Sequence, residues 1–215
     1  MAGTTVNEDN MVYKTLQRSI NEQGFQLPLE TVLTYGAGKE KKQAIIDILN
    51  HIQTGDAEEK LADLIYVKFK NSLKLAYENL DVQPYEGVEK LFQYVRGRGV
   101  KVVLNTGYDS ATAETLLSRL NWTVGTDIDG LVTASMVKNG RPHPEMIHKA
   151  MGLFGITDPK EVLKAGDSMV DIEEGKNAGC GITVGVLTGA QTEEELKKAA
   201  PDYIFDSLDK ILKLL

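Results

Sequence analysis

Asp167 and Asp171 stand four residues apart in VLKAGDSMVDIEEG, the first at the end of an apolar run and the second one turn further on. A turn at that point can present both carboxylates to one spot. Two close carboxylates at a ligand-binding edge repel unless a cation lies between them, and their hard oxygens suit Mg²⁺. The same pair also fits a plainer role, with Asp167 as a helix cap and Asp171 as a solvated acid favoured by the helix dipole. Glu173 and Glu174 read as first-turn acids on the surface.

A second set of groups lies in VVLNTGYDS. The Thr106 hydroxyl and the Gly107 amide, with Asp109 or Ser110 capping the next helix, make a cradle of donors for a phosphoryl oxygen, or else only a turn. In NGRPHPEMI, Arg141 lies between a turn at Asn139 and Gly140 and two prolines that stiffen the next stretch, a fixed cation for a phosphate or a carboxylate. His143, bracketed by Pro142 and Pro144, reads as exposed loop, while His148 and His51 suit surface or packing roles.

These groups need strand ends to carry them, and the hydrophobic pattern supplies such ends. Apolar runs at 100 to 106, 162 to 167, 182 to 188 and 203 to 205 alternate with amphipathic stretches at about 87 to 97, 110 to 120, 144 to 153, 169 to 178 and 192 to 199. Strands apolar on both faces and separated by helices predict an α/β fold, a Rossmann-like parallel sheet covered on each side. IDGLVTAS at 128 to 135 adds a short strand or a hairpin. Ligands then bind where the strands end at their carboxyl side. From about residue 9 to residue 80 the period is helical instead: Val12, Leu16 and Ile20 recur every four residues, then Ile45 with Leu49, and Leu61 with Ile65. Gly24, Pro28, the 36 to 38 stretch and QTGD at 53 to 56 divide that region into about four helices. The pattern thus sets an all-helical module apart from the alternating strands and helices that follow it.

The chain has 215 residues and a net charge of -7, which excludes a broad basic face for nucleic acid or an anionic membrane but leaves room for a local cationic pocket. No apolar run approaches a membrane span, and the single cysteine, Cys180, reads as a small packing residue between a helix and a strand. A cytoplasmic protein is expected.

The order AGTT, NTG, GRP and GDSMVD resembles the haloacid dehalogenase-like superfamily of phosphohydrolases, and within it the phosphonatase-like branch, which TGY at 106 to 108 and the arginine of GRP favour. The resemblance spans the whole chain and implies a Rossmann-like core of residues 1–8 and 85–215 with an all-helical cap domain, 9–84, inserted after the first motif. It implies a Mg²⁺-dependent hydrolase of a small phosphorylated or phosphonate metabolite, working through an aspartyl-phosphate. Carried onto matching positions, Thr106 and Gly107 bind the phosphoryl group, and Arg141 binds it and orients the nucleophile. Asp167 ligates the metal, Asp171 and Ser168 hold its water ligands, and the Ala2 carbonyl supplies another ligand. The attacking aspartate would stand immediately before Met1, at the end of an apolar strand; the expectation is that this strand belongs to the natural protein and that the chain as written lacks its nucleophile.

Where most phosphatases of the superfamily carry a general acid two residues after the nucleophile, this chain has Ala2, as phosphonoacetaldehyde hydrolase does. In that enzyme a cap lysine forms a Schiff base that makes carbon a leaving group. YGAGKEKKQAI meets the glycine-to-lysine spacing twice, at Gly36 with Lys39 and Gly38 with Lys41, and the KQAI run at its end suits the second register better. The phosphonatases' histidine three residues on is replaced by Lys42 or Ala44, and a lysine-rich helix start is also a common solvated face. Three readings stand: a phosphonatase-like hydrolase, phosphonoacetaldehyde hydrolase itself, or a catalytically inactive phosphate- and metal-binding protein. The branch's dimers imply a homodimer through the cap, which an apolar stripe on the helix at 57 to 79 would allow.

Overall fold

The computed structural model describes residues 1–52 and 59–214. The helical region folds as α1 (Met11–Asn21), α2 (Leu29–Gly36), α3 (Lys41–Ile52) and α4 (Glu59–Asn79). The four-residue periodicity faces inward: Leu16, Ile20, Ile45, Ile48, Leu49 and Ile65 are all fully buried in one shared core, with α1 packed along α4 and α2 against α3. The predicted break at 53 to 56 lies outside the described residues.

The chain enters and leaves this module through two short segments, β1 (Val6–Asn7) and β2 (Gln83–Pro84), which pair antiparallel with Val6 opposite Pro84. Two-residue strands give no periodic signal, and the sequence pattern did not predict them. The rest alternates: α5 (Val88–Arg96), β3 (Val103–Thr106), α6 (Ser110–Arg119), β4 (Gly130–Thr133), α7 (Glu145–Leu153), β5 (Leu163–Gly166), α8 (Met169–Ala178), β6 (Ile182–Val186), α9 (Glu193–Lys198) and β7 (Tyr203–Phe205). The segment at 128 to 135 is a strand parallel to β3, with Thr106 opposite Thr133, followed by a 3-10 turn, and not a hairpin.

All pairing among β3 to β7 is parallel, the α/β architecture expected from the pattern. The sheet is in two pieces, however: β3 pairs with β4, and β5, β6 and β7 form a separate ladder. Strands are also shorter than the apolar runs. Val100 is 48% exposed, so the first run begins outside the sheet and only its last four residues pair. Helix starts follow local chemistry. The Asp109 carboxylate accepts the Thr112 amide at 2.9 Å to cap α6, and Thr192 and Glu195 form a capping box on α9.

Leu16, on α1, is fully buried in the helical core. Leu16→Ala should lower the free energy of unfolding by about 3 kcal/mol, read from the urea midpoint at unchanged slope.

Candidate active site

The carboxyl ends of β3 and β5 and the loop after α2 converge on one small, partly open cleft. Its walls come from Met1, Ala2, Tyr13, Gly38, Lys41, Thr106, Gly107, Tyr108, Arg141, Asp167 and Asp171. Most sequence-predicted site residues are therefore brought together; Ser168 and Lys39 are the exceptions.

At the end of β5, Asp167 is buried and accepts hydrogen bonds from the Thr4 hydroxyl at 2.7 Å and the Ala190 amide at 2.9 Å. Gly3 and Gly189 close on this carboxylate so tightly that a Cβ at either position would overlap it. Burial, and then the neighbouring Asp171, push its pKa up. Asp171 meets different surroundings. The Ser168 hydroxyl donates to it at 2.6 Å, Lys164 reaches it at 2.5 Å and Arg141 at 3.1 Å. Burial would raise its pKa, but the two cations prevail and hold the carboxyl well below its usual range. Ser168 is itself buried, its hydroxyl turned to Asp171 beneath Gly38.

Arg141 is buried and its guanidinium is a hub. Its Nε donates to Glu174 at 2.9 Å, its Nη1 to the Gly38 carbonyl at 3.1 Å, and its Nη2 to both the backbone and side-chain oxygens of Asn105. Glu174 corrects the sequence reading: it is fully buried, not a surface acid, and pairs with Arg141, Lys164 and the Asn105 amide. One turn past Asp171, it faces the same side of α8. Lys164, Asn105 and Glu174 were all missed. A lysine inside a strand covered on both faces was the available signal, because such an ammonium must find buried partners.

At the end of β3, the Thr106 hydroxyl oxygen accepts the Tyr108 amide at 3.2 Å. Gly107 lies directly under the cap loop: a Cβ there would come within 2.5 Å of the Lys39 carbonyl. Gly38, at φ +73, fits against Ser168 and Val170 on the other side, where a side chain would overlap both. The two lysine candidates diverge. Lys39 points away and pairs with Asp47 at 2.5 Å. Lys41 is buried in the cleft wall, donates to the Lys39 carbonyl at 2.6 Å and lies 5.4 and 5.3 Å from the ring centroids of Tyr13 and Tyr108. Burial, outweighing Glu40, lowers its pKa to about 8.

The surroundings of Asp167 decide whether the donor set suits a divalent cation. Among the described residues that carboxylate has neutral donors at hydrogen-bond distance, the Thr4 hydroxyl and the Ala190 amide, whereas the cations Arg141 and Lys164 compensate Asp171. Two hard carboxylates with a serine hydroxyl and a backbone carbonyl nearby fit Mg²⁺, which takes one or two carboxylates and completes its shell from water and phosphate. Among the described residues, no three His, Cys, Asp or Glu side chains cluster as a protein-only metal site.

A family model for haloacid dehalogenase-like hydrolases matches residues 1–179. The chain belongs to the haloacid dehalogenase-like hydrolases. Within this family it is similar to phosphonoacetaldehyde hydrolases of the phosphonatase-like branch. That of Parabacteroides distasonis is 32% identical over 158 residues, covering 72% of this chain and 59% of the relative. That of Latilactobacillus sakei is 29% identical over 145 residues, 57% of this chain and 54% of the relative. The chain thus spans a little over half the length of the curated relatives it matches. Among solved structures, a hydrolase from Pseudomonas syringae shares the fold at TM-score 0.86 and 17% identity, covering 99% of this chain and 93% of that one. A phosphonoacetaldehyde hydrolase-like protein from Oleispira antarctica does so at TM-score 0.83 and 22% identity, with 99% and 88% covered.

Away from the cleft, His143 and His148 are exposed, and His51 stacks on Tyr35 at 3.9 Å. Cys180 packs with Ile147, Met151 and Ala178, and burial pushes its thiol up to about 11. Among the described residues no helix is long and apolar enough to cross a membrane.

Replacing Glu174 by Ala strands Arg141 and Lys164 against a single anion in a dry interior. The expected loss is about 3 to 5 kcal/mol of stability, measured by chemical denaturation.

Proposed function

We propose that this protein is a Mg²⁺-dependent hydrolase of a small phosphorylated or phosphonate metabolite. The observation that carries the reading is the convergence of Thr106, Gly107, Arg141, Asp167 and Asp171 around Met1 and Ala2 in one cleft. Thr106 and Gly107 offer a hydroxyl and an amide to the phosphoryl oxygens, and Arg141 supplies a fixed positive charge beside them. Asp167, with Asp171, Ser168 and the Ala2 carbonyl, would hold the cation, whose chemistry is to screen the phosphoryl group from an anionic nucleophile. The nucleophile in this reading is an aspartate placed directly before Met1. Its attack forms an O–P bond as the P–O bond of an ester, or the P–C bond of a phosphonate, breaks and releases the organic part, and water then hydrolyses the aspartyl-phosphate to free phosphate. Among the described residues β3 pairs only with β4 and β5 only with β6, and a strand before Met1 that lay between β3 and β5 would join the two ladders, which supports this reading.

The deciding assay compares this chain with the same chain carrying an apolar strand that ends in aspartate before Met1, on a panel of phosphate esters and phosphonates. Turnover by the extended form alone, abolished by EDTA and restored by Mg²⁺, is expected. An extended form that binds phosphate without turnover would leave the phosphate- and metal-binding reading in its place.

One observation favours a narrower reading, phosphonoacetaldehyde hydrolase. Lys41 combines a pKa near 8 with a place in the wall of the cleft, which suits an amine that condenses with a carbonyl substrate. Borohydride with phosphonoacetaldehyde should then label the wild type and Lys39→Arg, and leave Lys41→Arg unlabelled.

The reading extends to a homodimer through the cap. Leu64, Val67 and Leu75 are all more than half exposed and fall within about 80° of one another around α4. Val67→Glu should convert a dimer to monomers in light scattering while leaving the far-ultraviolet spectrum unchanged.

A further inference from the structure

Glu8 is a buried acid that the proposed hydrolysis leaves unused. It is 3% exposed, and its Oε2 accepts the Tyr77 hydroxyl at 2.7 Å and the Val12 amide at 3.0 Å. Tyr77 Oη lies 3.4 Å from Tyr108 Oη, and the Tyr108 ring is one of the two that face the Lys41 ammonium. The acid after β1, the far end of α4, the loop after β3 and the cap lysine thus form one buried group. A glutamine could still accept from Tyr77 and Val12 through its amide oxygen, though less strongly than a carboxylate. What a glutamine lacks is the charge.

We propose that Glu8 is a positioning residue for Lys41: the counter-charge that sets how much of this lysine is neutral and able to attack a carbonyl. This rests on the reading of Lys41 as an imine-forming amine. The groups that face Lys41 are Glu40 at the head of its own helix, Arg141 from the loop before α7, Glu8, and Asp167 at the end of β5. Burial and Arg141 favour the amine, and Glu40, Glu8 and Asp167 favour the ammonium. Tyr13 and Tyr108 stay neutral, because burial drives both phenols upward. Glu8 in turn is raised to about 7 by burial, with Asp167 adding to that and Tyr77, Val12 and Lys41 opposing it. Above about pH 7, therefore, Glu8 is an anion that holds the proton on Lys41; once its charge is removed, Lys41 gives up its proton at lower pH.

The test is a pH titration of the full chain by ¹³C NMR, with lysine labelled at Cε and the Lys41 signal assigned by its absence in Lys41→Arg. Glu8→Gln should lower the Lys41 midpoint by about one unit. Tyr77→Phe keeps the carboxylate but removes its hydroxyl donor, so Glu8 ionises later and the Lys41 midpoint should move the same way by less. Coupling is reciprocal. With glutamate labelled at Cδ, Lys41→Met should raise the Glu8 midpoint, a readout that survives if Glu8→Gln does not fold. Coincident Lys41 midpoints in wild type and Glu8→Gln, or a Glu8 midpoint unmoved in Lys41→Met, overturn the proposal. If borohydride fails to label Lys41 while the two titrations remain coupled, the imine reading falls and the Glu8 assignment stands.

Discussion

The guanidinium of Arg141 ties together three parts of the chain that share no strand pairing. Asn105 connects it to the end of β3, Asp171 and Glu174 to α8, and the Gly38 carbonyl to the cap loop. With Lys164 it makes two cations against two anions, all buried, in a medium where each charge needs its partners to be tolerated at all. The cleft inherits its asymmetry from this arrangement. Asp171 is held as an anion by two cations of the protein, whereas Asp167 accepts from the neutral Thr4 hydroxyl and Ala190 amide and has its pKa pushed upward by burial.

The strand ends were legible because they announce themselves: apolar runs that stop at Thr106 and Asp167, each followed by small residues and a helix start. Asp109 as a cap was readable for the same reason, since the amide it accepts from, that of Thr112, is three residues on. What the sequence concealed depends on residues far apart in the chain. Glu174 looks like its exposed neighbours until α8 is rotated against β5, and Lys164 looks like an intrusion in a strand until Asp171 and Glu174 are placed over it. Glu8 lies 69 residues from Tyr77. No local pattern connects them. The division of the sheet into two ladders was equally hidden, because periodicity reports which residues are buried and not which strands are adjacent.

The helical module contributes chemistry as well as cover. Its loop puts Gly38 where no side chain fits, between Ser168 on one side and the backbone over Gly107 on the other, and this close approach delivers Lys41 to the cleft wall while Lys39, two residues earlier, is spent on Asp47. A lysine in such a place is desolvated by the burial that brings it near the strand ends, so its lowered pKa and its position have one cause.

The two-residue pairing of β1 with β2 sets the kinematics of that contact. The outgoing and returning chains are bonded side by side at Val6 and Pro84, so they behave as one strap and not as two independent tethers. A strap resists shear between its two chains and bends most easily across its width. Gly38, Lys39 and Lys41 follow one another from the loop after α2 into the start of α3, so a tilt of the module about that strap would carry all three together.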